Sequence, residues 1–539
     1  MTERGRRGMQ GMTLVALLIA LLAGCAPPAL QTPEPSVPTL TLTSPPIDES
    51  CDYCAVRRTP LASETPIEEQ TASTTPTATL PPTTPGKNET PTVTQPPVTA
   101  TATALPPEPT VPQETPTGGG GVAVWETQTT ITMADWAGAL VPSTPEQPFY
   151  PYPALNFDAV GPLTAQTYPA VVLENAYVRV LLLPQLGGRV LHWEDRVTGR
   201  RLTYYNPAIK VTRWGYRGWW LATGGIEWAF PTDEHGLNEY RPWQYRLLGG
   251  EGWRGVRVWD QDDRTGMEVA VILRLYEGRS DLAIVPQITN STGESQVFQF
   301  WMNAMLTLSG GQGPSSDLTF WVPTETMMVH STGDGSLPGP RSLVSWPVYQ
   351  GRDLSRHGEW RNYLGLFAVE ARGAAGAYDR QAEQGIVRVY PSQVARGVKI
   401  FALGDLPANL YTEGGSRYFE FWGGYNRTFF PEDYATLEPG GLVSWEERWY
   451  PIHGIGGLDW ANGDLALSLE VTGAGVRVGA QAPYPMSVTL TLLQHGQPQA
   501  VWQPQLGPAT PFRAGHPGSG EGWTLRAEQG GSLLVEMRP

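Results

Sequence analysis

What most constrains this chain is where its large apolar side chains stand. All 20 tryptophans lie from Trp125 to Trp523, and before Trp125 the only aromatic residue is Tyr53. Residues 26–121 are rich in Pro, Thr, Ser and Glu, with almost no large apolar side chains. Such a segment cannot bury enough apolar surface to offset its ordering entropy. Its prolines favour extended backbone, so it reads as a disordered stalk, closed by the flexible joint Gly118 to Gly121. The folded head must come from residues 122–539, a length that is more than one domain.

Within that head the apolar period is two. Met267, Val269, Val271, Leu273 and Leu275 alternate with Glu268, Ala270, Ile272 and Arg274, and Leu465, Leu467, Leu469 and Val471 with Ala466, Ser468 and Glu470. Short strands divided by Gly, Pro, Asn and Asp turns predict an all-β fold, with no sustained capped helix. A boundary is expected near Gly456-Gly457. Residues 458–539 then suit one small β-sandwich, and 122–457 a large two-sheet sandwich.

The N-terminus carries Arg4, Arg6 and Arg7, then an apolar run from Met12 to Ala23 too short to span a bilayer as a settled helix. It ends in Leu22-Ala23-Gly24-Cys25, which resembles the bacterial lipobox. The resemblance implies a signal peptide over 1–25, a lipid on Cys25 and an extracytoplasmic, membrane-anchored chain. Cys51 and Cys54 have redox or zinc spacing but no second ligand pair nearby, so a local disulfide or two exposed thiols is expected. A net charge of −15 argues against a nucleic-acid partner.

Several stretches in order then become recognisable: Leu173-Glu174-Asn175 with Leu183-Pro184-Gln185-Leu186-Gly187-Gly188-Arg189, Gly224-Gly225-Ile226-Glu227-Trp228, Phe300-Trp301-Met302-Asn303-Ala304, Gly397-Val398-Lys399-Ile400, and Leu437-Glu438-Pro439-Gly440. Together they are similar to a bacterial domain-of-unknown-function family within the galactose-mutarotase-like superfamily. The resemblance implies a β-supersandwich with a carbohydrate-facing groove. A mutarotase needs a base for the anomeric hydroxyl and an acid for the ring oxygen, and neither metal nor cofactor. The superfamily's late glutamate matches Glu420, whose neighbours Phe419, Phe421 and Trp422 would raise its pKa by desolvation. Where the superfamily has its histidine acid this chain has Asn303, which binds a hydroxyl but cannot act as an acid. His235, in the polar loop after Gly-Gly-Ile-Glu-Trp, is the candidate for a substitute acid. Trp228, Trp301 and Trp422 are expected to stack on sugar, with Arg189, Glu227 and Asn303 binding hydroxyls.

Two readings stay open. One is a surface-anchored carbohydrate-binding lipoprotein, favoured by the missing acid. The other is a sugar-active enzyme with Glu420 as base.

Overall fold

The computed structural model describes residues 121–539, except 214, 312 and 407–409. The leader, Cys25, the stalk, Cys51 and Cys54 lie outside the described residues. The described part is all-β, as expected, and its helical segments are three-residue 3-10 turns.

Two large sheets form the body. One has 13 strands, the other nine. The strand Glu268–Tyr276 belongs to the second sheet. Its Val269, Val271, Leu273 and Leu275 enter the inter-sheet core, while Ile272 packs behind with Leu248 and Val285. Both sides of that strand are therefore partly covered, which period two alone does not reveal.

Four neighbouring strands of the 13-stranded sheet matter most: Gly397–Ala402, Phe419–Gly424, Trp301–Leu306 and Trp220–Ala229, hydrogen-bonded in that order. Their core-facing residues Val398, Ile400, Phe419, Phe421, Met302, Ala304, Ile226 and Trp228 pack against the second sheet. Each large apolar side chain so buried contributes roughly 1.5–3 kcal/mol. Beyond Trp220–Ala229 the sheet curls on itself, because Arg189–Asp195 pairs both with Val178–Leu183 and, through Val190 and Ile226, with that strand. Gly225 makes the closure possible. Its φ is +78°, and a Cβ there would stand 2.0 Å from the Val190 carbonyl oxygen.

The strands from Trp460 onward form two further four-stranded sheets around their own core of Leu465, Leu467, Leu469, Val476, Val478, Leu490, Leu492 and Leu525. They meet the body through an apolar contact of Ile455, Leu458, Ala461 and Ala466 with Tyr378, Val387, Tyr450 and Ile452.

Candidate functional site

Register builds the site. Asn303 stands opposite Glu227 on one side and Trp422 on the other, and Trp422 stands opposite Lys399. Directly opposed residues of antiparallel strands share a face. Glu227, Asn303, Trp422 and Lys399 thus form one row across four strands, on the face away from the inter-sheet core. Glu420, two residues from Trp422, points the same way.

A loop from Pro231 to Tyr240 covers this row. Asp233, His235 and Gly236 all have positive φ, 72°, 67° and 72°. Such a run reverses the chain tightly, and a Cβ on Gly236 would meet the Trp228 carbonyl oxygen at 2.8 Å. The reversal brings His235 Nδ1 to 2.5 Å from Glu227 Oε1. Asn303 Nδ2 donates to the same Oε1 at 3.2 Å and lies 3.5 Å from His235 Nδ1. The His235 ring is held between Trp220, at 4.5 Å, and Trp422, at 5.2 Å. No hydrogen bond among the described residues engages its Nε2.

On the far side Trp422 Nε1 donates to Glu420 Oε2 at 2.8 Å. Lys399 Nζ lies 2.5 Å from Glu234 Oε1 and 3.9 Å from Glu420 Oε2, and over the Trp422 ring at 4.4 Å. His330 Nε2 is 3.5 Å from Glu234 Oε2. Glu227, Asn303, Glu420, Trp422 and Lys399 are each at most 3 % exposed. The Glu234 side chain, at 21 %, and His330, at 14 %, are the parts that reach solvent.

The electrostatics separate these groups. Burial raises Glu420 above the ordinary carboxylate range, and Lys399 and His235 only partly offset it. Burial alone would lower His235, but the carboxylates of Glu227, Glu234 and Glu420 outweigh it and raise the imidazole. Burial pushes Glu234 up as well, yet Lys399 and His330 hold it well below its usual value. Burial and Lys399 lower His330. A carboxyl group with a raised pKa and an imidazole biased toward its charged form thus share one site.

The expected site residues do not all meet. His235, Glu227, Asn303, Glu420 and Trp422 do. Trp228 does not: it follows Glu227 in a strand, so it faces the core, where its Nε1 donates to the Gly188 carbonyl at 3.0 Å. Arg189 is fully buried behind Glu227, 3.5 Å from its Oε2, with its nitrogens also donating to the Leu186, Gly224 and Glu239 carbonyls. Wholly buried and held by these partners, it anchors Glu227. Trp301 is on the site face, but its ring lies flat on the backbone of Gly424 and Gly397. A Cβ on either glycine would come within 2.3 Å of it.

The expected tryptophan-lined groove is not seen, because these side chains are packed away. Trp219, Trp220, Trp228, Trp243, Trp301 and Trp422 are all at most 4 % exposed. Arg217 is paired with Glu239, and Arg241 with Asp260 and Asp263. Trp220 lies with the site, and so do Lys399, Glu234 and His330, which were not among the expected residues. For Lys399 a signal existed: a lone cation amid Gly-Val-Lys-Ile-Phe-Ala, on the opposite side from Val398 and Ile400. His192 packs at a tilt against Tyr205 and His357 bonds the Ser315 carbonyl, both away from the site. Among the described residues no His, Cys, Asp and Glu side chains form a metal-holding group.

Among solved structures, the chain is similar to a TPR-domain containing protein from Parabacteroides distasonis, with 22% identity and a TM-score of 0.54 over 62% of this chain and 55% of that one. That likeness shows a shared fold, and this chain spans about half of that protein's length. It is also similar to a galactose mutarotase-like protein from Clostridium acetobutylicum, with 10% identity and a TM-score of 0.39 over 53% of this chain and 96% of that one. A galactose mutarotase related enzyme from Lactobacillus acidophilus gives 13% identity and a TM-score of 0.37 over 53% and 97%. Residues 145–452, more than half of the chain, match the model of a domain of unknown function, DUF5107, and the chain belongs to that family.

Proposed function

We propose that the chain acts on carbohydrate by acid–base chemistry, with Glu420 as base, His235 as acid and Glu227 as the group that orients the imidazole. The observation that carries this reading is the 3.5 Å between Asn303 Nδ2 and His235 Nδ1. The weight toward binding alone came from Asn303 standing where the resemblance places an acid. His235 arrives at that place from the loop instead. Glu227 holds Nδ1, so Nε2 is the nitrogen left to give a proton. In ring opening Glu420 takes the anomeric hydroxyl proton, the bond from the anomeric carbon to the ring oxygen breaks, and His235 protonates that oxygen. Closure on the other face returns both protons.

The test is anomer interconversion of free sugars followed by proton NMR, after a glycan array identifies binders of the full chain. Glu420→Gln and His235→Asn should each slow turnover while leaving affinity nearly intact. Turnover that survives both changes sinks the assignment, and an array without any signal sinks the carbohydrate reading.

We also place this activity outside the cytoplasm on a lipid-anchored chain. Support comes from the order of Arg4, Arg6, Arg7, the apolar run and Cys25. Cys25→Ser should release the protein or leave uncleaved precursor, and unchanged membrane fractionation would overturn the anchor.

A further inference from the structure

The strand that carries Asn303, and the segment leading into it, hold polar atoms with nothing to bond. Asn303 Oδ1, Trp301 Nε1 and both Nε2 and Oε1 of Gln299 are buried without a hydrogen-bond partner among the described residues. All three residues are 0 % exposed. They are alternate residues of one segment. Between and beside them, Phe298, Phe300, Met302 and Ala304 pack into the inter-sheet core. Alternation therefore sets Gln299, Trp301 and Asn303 on the side that holds Glu227, His235 and Glu420. Gln299 also sits at the root of the covering loop, its backbone N–H donating to the Pro231 carbonyl at 2.6 Å.

Buried polar atoms left unpaired carry their full desolvation cost, and native proteins hold few. Three consecutive alternate positions ending at an acid–base cluster are best explained by a ligand that completes them. Their chemistry states which kind. Asn303 uses Nδ2 on Glu227, so Oδ1 needs a donor. Trp301 Nε1 only donates and needs an acceptor. Gln299 needs both. A carboxylate or phosphate answers Trp301 but not Asn303 Oδ1, an ammonium answers the reverse, and an apolar group answers none. A hydroxyl answers all three. Trp301 and Asn303 lie roughly 7 Å apart along the strand, and Gln299 lies a further two residues back, so the three positions reach past a single sugar ring.

We propose that Gln299 and Trp301 form a second subsite, extending the site along the strand to hold the neighbouring unit of a neutral oligosaccharide. This rests on the carbohydrate reading above.

The test is Gln299→Leu in the full chain, with Gln299→Met as the more adaptable change should the branched side chain not fold. Thermal unfolding without ligand is measured first. Removing an unpaired buried amide should raise Tm, by on the order of 1–2 °C. Titration calorimetry then compares glucose, galactose and mannose with their di- and trisaccharides. The wild type should prefer the longer sugars, and the variant should lose about tenfold of that affinity, while binding of single sugars stays unchanged. A fall in Tm would mean that the amide is already satisfied in the free protein, and overturns the subsite. Equal wild-type affinity for single and longer sugars, or equal losses for both in the variant, overturns the extension and leaves the acid–base site standing. No saccharide binding of any length overturns the carbohydrate reading and this subsite together.

Discussion

Two buried ionic clusters lie in the same body, and they are finished to different degrees. Arg388 and Glu447 are both wholly buried. Glu447 Oε1 accepts from Arg388 Nε at 3.0 Å and Trp449 Nε1 at 2.7 Å, and Oε2 from the second guanidinium nitrogen at 2.8 Å and Trp445 Nε1 at 3.2 Å. The third nitrogen donates to the Gly397 carbonyl at 2.8 Å. This pair is bidentate and complete. In the Glu227, His235 and Glu420 cluster, by contrast, Asn303 Oδ1 has no partner, His235 Nε2 is free of bonds among the described residues, and Lys399 stands off from Glu420 at 3.9 Å. Buried charge is thus fully engaged in one cluster and left partly open in the other.

The largest effect should come from breaking the finished pair. Arg388→Leu leaves Glu447 charged and buried, and should cost about 3–5 kcal/mol in urea unfolding. A cost under about 1 kcal/mol would erase the contrast between the clusters. Trp228→Ala, on the core side of the same strand as Glu227, should lose about 3–5 kcal/mol through the cavity it leaves. Any sugar affinity measured on the surviving folded fraction should not change. Selective loss of affinity would put Trp228 back among the ligand contacts.

Glu420→Gln should do the opposite. Stability should hold or rise in urea unfolding, because a desolvated carboxylate becomes a neutral amide, while turnover falls by roughly 10²–10⁴-fold. Equal losses of stability and rate would make Glu420 structural.

The smallest effect is in the pH slope. His235 is raised in the folded protein, so its contribution to stability is fully present below its ordinary value of 6.5 and is lost as pH rises through the folded value. Over that interval the slope reaches at most about 1.4 kcal/mol per pH unit. His235→Asn should flatten that part of the curve in urea titrations at stepped pH. A slope that persists in the variant assigns the proton elsewhere. For turnover, raised Glu420 sets the acid limb of the profile above 4.5 and raised His235 sets the alkaline limb above 6.5.

Much of this was legible in the residues. Alternation marked the strands, and the ordered stretches around Gly224, Asn303 and Glu420 pointed to one fold. The Trp228 assignment failed against a simple rule: adjacent strand residues face opposite ways, so Glu227 and Trp228 cannot both reach one ligand. Arg189 looked like a hydroxyl binder because its distant partners, the carbonyls of Gly224 and Glu239, become neighbours only in the folded body. The contact of His235 with Glu227 depends on the left-handed backbone at Asp233, His235 and Gly236, a conformation that Asp233 and His235 do not announce. The burial of the site was hidden for a related reason. Period two reports one covered face, and here loops cover the other face as well.

The row from Glu227 through Asn303 and Trp422 to Lys399 also bears on how the chain matures. Its members come from four strands separated by long stretches of sequence, so the row cannot exist until several distant loops have closed. The whole row is therefore present only in a molecule in which all four strands have paired in register.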